Sequence, residues 1–234
     1  MKGSRVLIVG GSSGMGLALA ELLVAEGAAV TVAGRRADRL AAAADRLGVA
    51  THRADITRED DVRAMAAAVG RLDHVVVTAA DMTGAYRPLA ELELPAAQAV
   101  LASKVLGPWL VARHCPVPAG GSITFTSGIA AYRPAAGGCL VATANAALAG
   151  LVRALALELA PARVNAVSPG WVDTPIWEVV AGEARTERLA AMAARLPVGR
   201  IGRPADIAQA FRAVMDNGFI TGGVLHVDGG HRLV

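Results

Sequence analysis

The stretch whose residue types most clearly suit chemistry is Val6-Leu-Ile-Val-Gly-Gly-Ser-Ser-Gly-Met-Gly16. Residues 6–9 read as a buried parallel strand, glycines follow at once, and residues 17–25 carry apolar side chains at helical spacing. Strand, glycine turn and helix start together bring exposed backbone N–H groups and the positive end of a helix dipole against a pyrophosphate. Gly10 permits the tight exit from the strand, Gly14 clears the point of phosphate approach, and Gly16 lets the helix pack closely on the sheet. Ser12, Ser13 and Met15 complete the loop. Glycine turns also join strands to helices for structural reasons alone, so the surrounding order of elements has to support the assignment.

A second strand ends in Val32-Ala33-Gly34-Arg35-Arg36, about 20 residues beyond the glycine loop, where a NAD site presents a carboxylate to the ribose 2′-hydroxyl. Glycine and two arginines stand there instead. A guanidinium fork suits a 2′-phosphate, so NADP is expected over NAD; the alternative is that both arginines only open a solvated helix. Asp55, after the third strand, either caps the next helix or accepts a hydrogen bond from an adenine amino group.

Elements must hold these groups in place. Strands are expected at 30–33, 51–54, 74–78, 122–126 and 164–167, and helices at 36–47, 59–69, 96–114 and 140–159. Short strands alternating with helices predict one α/β domain over residues 1–234, a doubly wound, mostly parallel sheet with helices on both faces. A hydrophobic share of 54% favours a sheet-centred globule, and no apolar run is expected to reach the length of a membrane helix. The first residues lack a basic-apolar-small leader, so a cytoplasmic protein is expected. Cys115 and Cys139 suggest neither a metal site nor a disulfide framework. Net charge is +3 with no basic cluster beyond Arg35-Arg36, which argues against a nucleic-acid partner.

Taken with its context, the glycine loop resembles the first fingerprint of the short-chain dehydrogenase/reductase family, with Val9 where threonine is usual. Arg163-Val-Asn-Ala-Val-Ser-Pro-Gly170 followed by Thr174 matches the stretch leading to that family's nicotinamide pocket. Gly202-Arg-Pro-Ala-Asp-Ile-Ala208 and Ile220-Thr-Gly-Gly-Val-Leu-His-Val-Asp-Gly-Gly230 resemble its closing helix and seventh strand. The resemblance covers almost the whole chain. It implies a seven-stranded Rossmann-type sheet and a cofactor footprint of Gly10, Ser12, Ser13, Gly14, Met15, Arg35, Arg36, Asp55, Ile56, Ala79, Ala80, Pro169, Gly170, Val172 and Thr174. It also implies a substrate-covering segment at about 171–199 and a homodimer or homotetramer formed through the long helices and last strand.

The same resemblance implies a catalytic Asn, Ser, Tyr and Lys. Tyrosine protonates the substrate, lysine lowers its pKa and holds the ribose, serine orients the carbonyl, and asparagine supports a water chain. Here the register set by Asn145-Ala-Ala-Leu-Ala-Gly-Leu151 puts Val141 at the tyrosine position and Asn145 at the lysine position. The serine position falls on Gly128, or on Ser127 with a slip of one. Lys104-Val-Leu-Gly107 stands in place of Asn-x-x-Gly, and Thr78-Ala79-Ala80-Asp81 in place of Asn-Asn-Ala-Gly. Valine transfers no proton, so the ordinary mechanism cannot run. Lys104 and Asn145 read as an exchange of residue types between two helices, and Lys104 is one of only two lysines among 23 basic residues.

The functional expectation is that Lys104 stands in for the missing groups, paired with Asp81 or assisted by Ser127. The alternative has Lys104 snorkelling to solvent and Asp81 capping a turn. Tyr132 is placed on a surface loop, His114 at helix-end carbonyls, and His231 at a subunit interface. Trp171-Val-Asp-Thr-Pro-Ile-Trp177 suggests an uncharged, apolar ligand. Three classes remain open: an NADP(H)-dependent oxidoreductase with a rearranged proton donor, a non-redox enzyme on the same fold, and an NADPH-sensing protein.

Overall fold

The computed structural model describes residues 1–234, without the side chain of Val179. In chain order it contains β1 (Arg5–Val9), α1 (Gly14–Ala25), β2 (Ala29–Gly34), α2 (Ala37–Leu47), β3 (Ala50–Arg53), α3 (Glu59–Val69) and β4 (His74–Val77). There follow α4 (Leu94–Leu101), a π turn (Ala102–Leu106), α5 (Gly107–His114), β5 (Ser122–Thr126), α6 (Cys139–Glu158) and β6 (Arg163–Pro169). The chain closes with α7 (Ile176–Val180), α8 (Arg185–Arg195), α9 (Pro204–Asp216) and β7 (Val224–Val227).

All seven strands pair parallel, in the order β3-β2-β1-β4-β5-β6-β7. The inner strands are apolar at consecutive positions because alternate side chains enter different cores. Leu7, Val9, Val75 and Val77 join Phe125 and Leu148 on one face. Val6, Ile8 and Val76 join Leu19, Leu23 and Phe211 on the other, where α1 and α9 pack together. Arg163 is buried at the edge of this layer. Its guanidinium donates to the carbonyls of Val214 and Met215, at 2.8 and 2.7 Å, and so satisfies the C-terminal end of α9.

The chain order reverses beside β1, with β2 and β3 on one side and β4 to β7 on the other. In an open parallel sheet that crevice, outside the carboxyl ends of the strands, is where ligands bind.

One expectation needs correction. Leu94–His114 and Cys139–Glu158, at 21 and 20 residues, are long and apolar enough by composition to cross a membrane. Scattered alanines raise their hydropathy without lengthening any unbroken apolar run. Each also buries a face in this fold, Val100, Leu110 and Val111 on the first and Ala144, Leu148 and Val152 on the second.

Candidate active site

Two glycines shape the turn at the head of the sheet. Gly10 leaves β1 at φ 90°, and a Cβ there would lie 2.6 Å from both Ala79 N and Thr78 Oγ1. At Gly16 a Cβ would lie 2.4 Å from the Gly10 carbonyl oxygen. α1 begins behind Ser13 with no side-chain cap and no acid in its first turn. Its unpaired N–H groups and dipole are therefore left for an anion, which fits the pyrophosphate of a dinucleotide.

Gly10, Ser12, Ser13, Arg35, Arg36, Asp55, Ile56, Ala79 and Ala80 all line one cleft of about 170 Å³ at this point. Gly14 lines a neighbouring hollow with Arg39, and Met15, Pro169, Gly170, Val172 and Thr174 face a larger cavity on the far side of the turn. The expected footprint is thus divided among three adjoining spaces. Sequence reasoning missed Arg39 and Ser103, which also line the cleft. Arg39 lies one helical turn beyond Arg36, and that spacing was a readable signal.

Two of the cleft arginines are already paired. Arg36 makes a bidentate bridge to Asp38, at 3.2 and 2.6 Å, and that hydrogen-bonded guanidinium holds the Asp38 carboxyl down at about 2. Arg35 Nη1 lies 3.0 Å from Asp81 Oδ2. This corrects the expected Asp81–Lys104 pair: Asp81 lies on the cofactor side of the sheet and answers β2, while its backbone N–H binds Ser103 Oγ. Partial burial opposes ionisation of Asp81, but hydrogen bonds from Thr83 and Arg35 outweigh it and hold the carboxyl below its usual range. Asp55 accepts from the N–H and hydroxyl of Thr57, at 3.0 and 2.8 Å. It closes an Asx turn rather than capping α3, whose N-cap is Arg58.

Lys104 lies in the π turn, an interruption of a kind that recurs at functional sites. Both Ser103 and Lys104 are buried there, at 4% and 6% exposure. Lys104 Nζ donates to the Thr126 carbonyl at 2.7 Å and more weakly to that of Ser127 at 3.4 Å. It does not snorkel to solvent. Burial pushes its ammonium down to about 8.

Ser127 Oγ donates to the Asn145 carbonyl of α6 at 3.0 Å. The Asn145 side chain closes over Gly128, whose Cβ, if present, would lie 2.9 Å from Nδ2, and its Oδ1 is buried without a partner. Lys104, Ser127, Gly128, Val141 and Asn145 all border the large cavity, of about 1330 Å³. The residues at the four expected catalytic positions therefore converge on one space, though their chemical types differ.

Two other expectations shift, while Tyr132 stays exposed on its loop as expected. Tyr132 borders the cavity and stacks edge-on against His226, with centroids 4.3 Å apart. His231 is buried within the chain, borders the same cavity, and its Nδ1 has no partner among the described residues. His114 Nε2 meets Glu59 Oε1 at 2.8 Å instead of helix-end carbonyls. Tyr132 and His114 both find their partners on distant segments. The 171–199 segment supplies Trp171, Trp177 and Met192 to the cavity wall.

Comparison with known proteins agrees with this architecture from end to end. A family model described as Enoyl-(Acyl carrier protein) reductase matches residues 9–232. The short-chain dehydrogenase/reductase malC of Malbranchea aurantiaca is 34% identical, over 98% of this chain and 95% of that protein. The cis-4-hydroxycyclohexanecarboxylate dehydrogenase of Sinomonas cyclohexanicum is 38% identical, over 98% and 97%. The structure described as MalC Reductase/Diels-Alderase from Malbranchea aurantiaca superposes with a TM-score of 0.93 at 33% identity, covering 100% of this chain and 98% of that one. A small-chain dehydrogenase in complex with NADPH superposes at 0.85 and 33% identity, covering all of both chains. With its fold, glycine turn and full-length relatives in agreement, the chain belongs to the short-chain dehydrogenase/reductase family.

Proposed function

We propose that the chain is an NADP(H)-dependent oxidoreductase of an apolar carbonyl, imine or quinone, with Lys104 as its proton source. The observation that carries this reading is the buried Lys104 ammonium, held by Thr126 and lowered to about 8, bordering the same cavity as Pro169, Gly170 and Thr174. A base poised near neutrality can both give and regain a proton. The relatives' names and the neighbour solved with NADPH support the general chemistry.

NADPH, when bound, supplies a hydride to the substrate carbon. Gly10, Ser12, Ser13 and the start of α1 would hold its pyrophosphate, and Arg35, Arg36 and Arg39 its 2′-phosphate. The unpartnered Asn145 Oδ1 would accept a ribose hydroxyl, part of the role that the family's lysine fills. Lys104 passes a proton from Nζ to the substrate oxygen or nitrogen, and the neutral amine takes its next proton from solvent. The Thr126 carbonyl steers the ammonium, and Ser127, engaged with the Asn145 carbonyl, fixes the wall beside it.

NADPH consumption across a panel of ketones, aldehydes, quinones and imines tests this. Turnover is expected with at least one apolar acceptor. Product formation without a change in NADPH absorbance would instead favour a second reading, a cyclisation or isomerisation in the same cavity. That reading is supported by the Reductase/Diels-Alderase neighbour and by the non-titrating Val141. NADPH binding with no turnover of any kind would favour a sensor.

Replacing Arg35 and Arg36 together by alanine is expected to weaken NADPH binding about 10- to 100-fold, the worth of one or two charge-assisted hydrogen bonds, and to leave NADH binding unchanged. Fluorescence titration of both nucleotides checks it, and equal losses for the two would remove the 2′-phosphate assignment. The expected homo-oligomer is supported by Leu106, Trp109 and Leu157, which stay exposed on the long helices.

A further inference from the structure

The large cavity carries a charge pattern that its apolar walls conceal. Five cationic side chains border it, Arg87, Lys104, Arg133, Arg188 and Arg195, and no Asp or Glu does so among the described residues. Two of the arginines are already engaged within the chain. Arg87 lies 3.9 Å from Glu91, and Arg133 donates to the main-chain oxygen of Val234.

The two on α8 differ. Arg188, Met192 and Arg195 recur at i, i+4 and i+7 and so share one face of that helix. Met192 is buried against the cavity, and the two arginines stand on either side of it, both exposed. Neither arginine has an ion-pair or hydrogen-bond partner among the described residues, whereas Arg185 on the same helix bridges to Asp173 at 2.6 Å and approaches Glu178 at 3.8 Å. Arg185 fastens the covering helix, so it has no role left for a ligand.

His231 lies in the same wall, its ring edge-on to Trp171 at 6.2 Å and its Nδ1 buried and unpartnered. Burial and the charges of Arg195 and Arg133 lower its pKa, Asp228 opposing them, so it offers a neutral hydrogen-bonding nitrogen beside the arginines. A cavity with apolar sides, unmatched guanidinium groups and no carboxylate attracts anions and repels cations.

We infer that the cavity takes a substrate with an apolar body and a carboxylate, the body packed on Trp171, Trp177 and Met192 and the carboxylate held by Arg188 and Arg195. This names a substrate class for the oxidoreductase reading and rests on it only for the reaction, not for the binding. It also revises the expectation of an uncharged ligand drawn from the tryptophans alone.

The test is calorimetric titration of 2-naphthoate and of its uncharged isostere 2-naphthamide into the protein with saturating NADPH. The same titrations are run on a variant carrying Arg188→Gln and Arg195→Gln. Naphthoate is expected to bind about tenfold or more tightly than naphthamide, one charge-assisted contact being worth that much, and the preference should weaken as salt is raised. In the double variant the two probes should bind alike, at the wild-type naphthamide affinity. Equal binding of both probes by wild type, binding of neither, or a preference that survives in the variant overturns the inference. Because the readout is binding, a protein that consumes no NADPH but prefers naphthoate keeps this inference and loses the oxidoreductase reading. A reductase that binds the two alike does the reverse.

Discussion

Lys104→Met should lower NADPH-dependent turnover by about 10²- to 10⁴-fold, the usual worth of a positioned acid, and at the same time make the protein more stable at neutral pH. Both effects come from one buried amine. In the unfolded chain the lysine takes its proton near 10.5, and in the folded chain near 8. Between those values the unfolded state binds more protons, so stability should rise with pH across that window. Below it, folding carries a constant penalty of roughly 3 kcal/mol, which methionine removes. The carbonyls of Thr126 and Ser127 lose a donor in the variant, which offsets part of the gain. Urea unfolding of both proteins at pH 7 and pH 10 would show the difference, as a methionine advantage that shrinks at the higher pH. Activity has the opposite slope. If the ammonium delivers the proton, kcat/KM should fall as pH rises through about 8. A flat profile there, or a fully active methionine variant, would remove Lys104 from the mechanism.

Gly10→Ala carries the second large effect, and it falls on stability and nucleotide binding together. The backbone at φ 90° disfavours any side chain, and the new methyl would sit 2.6 Å from Ala79 N and Thr78 Oγ1. Backbone strain of about 1–2 kcal/mol and a packing clash of about 1–3 kcal/mol add to roughly 3 kcal/mol. For a domain of this size that corresponds to a fall in Tm of roughly 10 °C. Ala79 and Thr78 form the β4 side of the cofactor cleft, so relief of the clash displaces that wall and NADPH affinity should fall with it. A matched Gly150→Ala, at a helical site where a Cβ meets nothing within 4 Å, should be neutral or slightly stabilising. Thermal scans with and without NADPH distinguish the two. Gly10→Ala that melts with the wild type would refute the steric account of the turn.

Much of the fold was readable because it depends on local pattern. Apolar runs and glycines located every inner strand, and residues 59–69 and 122–126 were bounded as the structure has them. β6 extends further than its apolar run, from Arg163 to Pro169, because buried Arg163 and Ser168 find their place through tertiary packing that hydropathy does not register. The π turn left no local trace. Its lysine was suspect because the family position calls for asparagine and because the chain holds only two lysines.

Partner choice was least legible. On sequence grounds Asp81 was assigned to Lys104 or to a turn cap, and only the fold puts it across the cleft from Arg35. His231 and the α8 arginines lie on separate segments, with α9 and β7 between them in the chain, so no spacing rule connects them. The apolar tryptophans, by contrast, were visible at once and pointed to a neutral ligand, because contiguous residues are easier to read than a wall assembled from several loops.

The seam around Ser127 also constrains how such a chain can change. Lys104 reaches the Ser127 and Thr126 carbonyls from one helix, and the Asn145 carbonyl receives the Ser127 hydroxyl from another. A chain with lysine at both places would confine two ammonium groups in one water-poor seam, where each suppresses the other's charge. A chain with asparagine at both would hold no titrating group there at all. Changing either residue alone should therefore cost more than changing both together.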